Sequence, residues 1–93
     1  MMQEVYCEVV GRSVGLIKKK IEINVDFGES IGWIERLTGG NPMKDSFGKI
    51  IQFNSMIDAL NHMAKDGWLF VNAYSITLKD QNVYHYIMRK VIS

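Results

Sequence analysis

The stretch from Ser55 to Ile92 constrains the fold more than any other part of the chain. Met56, Ile57, Leu60, Met63 and Ala64 recur at the spacing of one helical face, with Asp58, Asn61, His62 and Lys65 on the wet side. Ser55, three residues ahead of Asp58, has the form of a capping box, in which side chains satisfy N–H groups that the first helical turn leaves unpaired. Gly67 follows the last polar turn, where a left-handed residue ends a helix at least cost. Beyond it, Trp68–Leu78 and Val83–Ile92 are rich in β-branched and aromatic residues and are joined by Lys79-Asp80-Gln81-Asn82. The pattern predicts a capped helix stopped at Gly67 and a β-hairpin opening at Trp68.

A loop of two or four residues leaves the hairpin's parity unchanged. One face then holds Trp68, Phe70, Asn72, Tyr74, Ile76 and Leu78 with Val83, His85, Ile87, Arg89 and Val91. The other holds Leu69, Val71, Ala73, Ser75 and Thr77 with Tyr84, Tyr86, Met88, Lys90 and Ile92. Both faces are substantially apolar, whereas a sheet with one wet face alternates cleanly. A single helix covers one face. The other is left for the Gly28–Gly48 segment, a second subunit or a ligand.

Earlier in the chain, Gln3–Val10 alternates Val5, Cys7 and Val9 with Glu4, Tyr6 and Glu8, and Gly11–Gly15 has turn chemistry. Ile21, Ile23, Val25 and Phe27 alternate with Lys20, Glu22, Asn24 and Asp26 in a second strand, so these two strands form an antiparallel hairpin. Residues 28–48 hold five of the eight glycines and the one proline and read as an irregular insertion. Within it Ser30 could open a helical turn through Ile31, Ile34 and Leu37. Alternatively, Glu35–Leu37 or Met43–Lys44 could form a short strand, returning through the Asp45-Ser46-Phe47-Gly48 turn. Lys49–Phe53 reads as a short strand. The expected fold is a single α+β domain over residues 1–93. It has an antiparallel sheet of about five strands and one main helix on one face, in the order β-β-(irregular)-β-α-β-β.

Tyr6-Cys7-Glu8-Val9-Val10, Leu60-Asn61 with Gly67-Trp68, and Arg89-Lys90 form a separated pattern covering about half the chain. It resembles a family of small bacterial domains of unknown function, which open on a Tyr-x-x-Val-Val strand. Their helix leads into Gly-Trp-Glu-Leu-Val and their last strand ends in Lys-Arg or Arg-Lys. The resemblance implies strands around one helix and a bacterial source, and it implies no activity.

The chemistry the residues could support is narrow. Cys7, His62 and His85 are scattered without metal-ligand spacing, and Cys7 sits at an inward strand position. The glycines form neither a dinucleotide nor a Walker frame. No catalytic, cofactor-binding or metal-binding residues are expected. A net charge of +1 speaks against a dedicated nucleic-acid binder, and Lys18-Lys19-Lys20 reads as a solvated strand edge. A hydrophobic share of 47% is ordinary for a globular domain. One cysteine excludes an internal disulfide, and no run is long enough for a signal peptide or a membrane span, so the expected setting is cytoplasmic with no membrane partner.

The polar constellation to be built lies on the hairpin: Asn72, Tyr74, His85 and Arg89 beside Trp68 and Phe70, with Trp33 as a lid and no carboxylate on the face. Tyrosine, tryptophan and arginine are residues that interfaces favour. The expected function is therefore a non-enzymatic, self-associating or protein-interaction module, a homo-oligomer. The alternative is a small-ligand-binding protein using this face, because an apolar floor with a few convergent polar groups also suits a ligand.

Overall fold

The computed structural model describes residues 2–28, 42–78 and 81–93. Four strands form one antiparallel sheet: β1 (Gln3–Val14), β2 (Lys20–Asp26), β3 (Leu69–Leu78) and β4 (Gln81–Ile92). Their spatial order is β2-β1-β4-β3. One described helix, α1 (Met56–Ala64), enters between β2 and β3 in the chain. The architecture is α+β, with a four-stranded sheet where sequence periodicity predicts about five strands.

The missing strand has a physical explanation. Lys49–Phe53 makes only isolated bridges, Lys44↔Ile50 and Ile21↔Phe53. Met43 N–H donates to the Ile23 carbonyl, and Phe53 exchanges both backbone bonds with Ile21, each at 2.7 Å. The stretch 42–53 thus folds into a small loop through the Asp45–Gly48 turn and lays its two ends on the outer edge of β2. Asp45 holds that turn by accepting from the N–H groups of Phe47 and Lys49. It occupies the edge at Ile21 and Ile23 without extending the ladder. The readings at Ser30 and Glu35–Leu37 fall outside the described residues.

β1 runs four residues past its expected end at Val10, and the turn follows at 15–19, with Gly15 at φ +99°. Gly11 stays in the strand because it lies beneath the start of α1, where a Cβ would run into the Met56 thioether. The helix begins as its sequence requires. Ser55 Oγ accepts from Asp58 N–H at 3.2 Å, and Asp58 Oδ2 accepts from Asn54 N–H at 2.9 Å. After Lys65 the chain turns through Gly67 at φ +91°. Met63 carbonyl accepts from both Asp66 and Trp68 N–H groups, so the stop at Gly67 stands.

The buried stripe of α1 is Met56, Ala59 and Met63, with Leu60 packed beside it; Ile57 and Ala64 point outward. Ala59, fully buried, lets the helix approach closely. These side chains close the core over Cys7 and Val9 of β1, Ile21 and Ile23 of β2, Met88 of β4, Phe53 and Trp68. The helix is nine residues long and sits toward the β1–β2 side. It does not reach β3, whose residues 69–77 are all exposed.

Candidate functional site

The sheet face away from α1 is set by pairing in its middle. β1 and β4 run antiparallel with Glu8 opposite Ile87 and Tyr6 opposite Arg89, so Glu4, Tyr6 and Glu8 share a face with His85, Ile87 and Arg89. Complementary polar groups then meet along diagonals of the ladder. Arg89 Nη1 donates to Glu4 Oε1 at 3.0 Å, and His85 Nδ1 lies 2.9 Å from Glu8 Oε1. β3 adds Tyr74, whose ring stacks on His85 with centroids 4.6 Å apart and planes within 3°. Its hydroxyl donates to Glu8 Oε2 at 3.4 Å, and Tyr6 hydroxyl donates to Glu4 Oε2 at 2.9 Å.

The result is two adjoining clusters, Glu8–His85–Tyr74 and Glu4–Arg89–Tyr6. In the first, a carboxylate facing Nδ1 favours the tautomer with its proton there. Desolvation first, and Glu8 second, lift the Tyr74 phenol above its ordinary range. The Tyr6 phenol is lifted mainly by its hydrogen bond to Glu4. Both tyrosines therefore stay protonated donors.

Sequence reasoning missed Glu4 and Glu8 and expected no carboxylate on this face. The expectation came from the hairpin alone, whereas the carboxylates arrive from β1. A signal was present: Glu4 and Glu8 are spaced by four, as are His85 and Arg89, which suits two antiparallel strands.

The hairpin pairs Asn72↔Ile87, Tyr74↔His85 and Leu78↔Gln81, so Asn72, Tyr74, His85 and Arg89 do share a face. Trp68 and Phe70 do not join them. A register shift between Phe70 and Asn72 places an extra residue, Val71, in β3. A bulge reverses the alternation on either side of it, so Phe70 stands opposite Met88 on the helix side and meets Tyr86 at 5.9 Å. Trp68 precedes the strand and is buried in the core, with Phe27 at 5.8 Å and Lys90 Nζ 5.3 Å from its ring. Trp33 lies outside the described residues. Asn72 Oδ1 accepts from Ala73 N–H at the bulge.

Two further features bear on chemistry. Cys7 is buried, and that burial, with a smaller contribution from Asp26, pushes its thiol up to about 11. Such a thiol is a packing group, since the thiolate is the nucleophilic form. A recess of about 360 Å³ lies on the helix side, bordered by Lys19, Lys20, Ser55, Tyr84 and Tyr86. It is on the opposite face from the polar clusters.

The outer edge of β3 completes the surface. Leu69, Phe70, Val71, Tyr74 and Ile76 are 43–55% exposed, and no described residue pairs with that edge. No protein-family model, no curated protein and no solved structure matches the chain.

Proposed function

We propose that the protein is a non-enzymatic, self-associating module whose copies join through β3. The single observation that carries this reading is the outer edge of β3: ten residues without a charge, a proline or a described partner. Soluble proteins ordinarily blunt such edges with lysines, prolines or a cover. A long uncharged edge left open is a template for another strand, and a second copy of the same edge is self-complementary about a two-fold axis.

Antiparallel pairing of two β3 strands makes one eight-stranded sheet. Both helices then lie on one side, and both Glu8–His85–Tyr74 clusters lie on the other. The ligand reading of the hairpin face has weaker support, because His85, Arg89 and Tyr74 direct their polar atoms at Glu8 and Glu4. A ligand would have to displace those bonds.

The test is sedimentation or light scattering of the wild-type chain beside a Val71→Lys/Ile76→Lys variant. The wild type is expected as a dimer and the variant as a folded monomer, with a dimer constant weakened at least about 100-fold by like charges meeting across the axis. A wild type that stays monomeric at high concentration, or a variant that dimerises as well as the wild type, overturns the reading.

A further inference from the structure

The turn between β1 and β2 carries two large apolar side chains in full contact with water: Leu16 is 100% exposed and Ile17 96%. Scattered exposed apolar residues are ordinary; an adjacent pair at the apex of a hairpin, followed by Lys18-Lys19-Lys20, is an ordered amphiphile. Gly15 holds the turn at φ +99°, and a Cβ there would strike the Lys18 carbonyl. The apex is therefore a formed turn. Lys18 and Lys19 are exposed, while Lys20 Nζ is tied to Asn54 Oδ1 at 2.6 Å.

Charge is also segregated. Residues 10–21 hold four of the 11 basic residues and none of the 10 acidic ones, so the rest of a chain of net charge +1 is net acidic. Lys18, Lys19 and Lys20 follow the apolar apex directly, while Arg12 stands opposite Glu22 farther down the hairpin. We propose that this hairpin tip docks on an anionic phospholipid bilayer, with Leu16 and Ile17 entering the acyl boundary and Lys18 and Lys19 meeting the headgroup phosphates. An interfacial contact of this kind combines apolar burial with attraction to anionic lipid, and neither component needs a spanning helix. No described helix is long and apolar enough to cross a membrane. The sequence expectation is of no membrane partner, argued from the lack of a span, and a docked tip departs from it.

The tip and the β3 edge are independent. The tip joins β1 and β2, and β4 separates β1 from β3. In an antiparallel β3 pair the two tips point in opposite directions, so each tip docks alone.

The experiment is vesicle flotation with phosphatidylcholine alone and with phosphatidylcholine containing phosphatidylglycerol. The wild type is expected to float with the anionic vesicles only, and less as ionic strength rises. Lys18→Gln/Lys19→Gln should weaken binding about 25-fold, at roughly a factor of five per lysine. Leu16→Ser/Ile17→Ser should weaken it at least about 10-fold while circular dichroism stays unchanged. Phe47→Ser is the control, an exposed apolar residue on a different turn, and should leave binding intact. The Val71→Lys/Ile76→Lys variant should float as the wild type does, whatever its oligomeric state. Equal binding to both vesicle types, no binding, or an equal loss in Phe47→Ser overturns the proposal. So does binding that needs the lysines but not Leu16 and Ile17, which would indicate a polyanion such as nucleic acid.

Discussion

The two edges of the sheet are built from unlike sequence and finished in unlike ways. β2 alternates Ile21, Ile23 and Val25 with charged or polar neighbours, and its outer edge is occupied by Met43 and Phe53. Its charged side chains fasten the cover: Lys20 donates to Asn54, and Glu22 accepts from Gln52 Nε2 at 3.1 Å. β3 has no charged side chain and no described cover. Charge on an edge usually repels other strands. Here it is found on the edge that is already occupied, where it works as a clasp, and it is absent from the edge that is open.

The largest effect should come from breaking the covered side. Phe53 is buried beneath α1, with His62 5.3 Å away, and supplies both bonds to Ile21. Phe53→Ala is expected to cost about 3–5 kcal/mol of stability, measured by urea unfolding in the Val71→Lys/Ile76→Lys background so that association does not mix with folding. In the wild-type background it should also free the β2 edge and give species larger than a dimer. A loss below about 1 kcal/mol would mean that the cover is held elsewhere.

A smaller effect, common to both sides, comes from the centre of the sheet. The Cys7 thiol is held up to about 11, above its ordinary 9.0. An unfolded chain ionises first, so this contribution is complete below pH 9 and is lost as pH rises from 9 to 11, on the order of 2 kcal/mol. The raised Tyr6 and Tyr74 phenols act with the same sign from about pH 10 upward, overlapping the upper part of that window. Cys7→Val should flatten the stability profile between pH 9 and 11. The slope should be equal in the wild type and the edge variant, since Cys7 belongs to neither edge.

The smallest change sharpens the contrast without breaking it. Ser55→Ala removes the cap that links the cover to α1 and should cost about 1 kcal/mol. Dimerisation measured by sedimentation should not change. A shift in dimer affinity would show that the covered edge communicates with the open one.

Much of this was readable from local pattern. The helix declared its start at Ser55 and its end at Gly67, and β2 declared its faces by alternation except at Asn24, which the pattern puts on the wet face and the fold buries. Beyond the bulge, parity placed Asn72 and Tyr74 with His85 and Arg89. What escaped depended on partners distant in the chain. Leu69, Phe70 and Val71 are all apolar, so nothing in their order marks the phase change at the bulge. Gly11 reads as a turn residue until Met56 is known to lie over it. Lys-Ile-Ile-Gln-Phe reads as a strand, although only Ile50 and Phe53 find bridge partners. The pairing of β1 with β4, which brings Glu4 and Glu8 to the candidate site, joins residues about 80 positions apart, beyond the reach of periodicity.

The cover on β2 also bears on stoichiometry. Units with two reactive ends grow into chains, and units with one stop at pairs. With Phe53 and Met43 on one edge, each copy brings, among the described residues, the β3 edge to the proposed association. On that proposal, growth is expected to stop at two copies. Under the proposed association, the residues that would limit the count lie on the far side of the sheet from the contact itself.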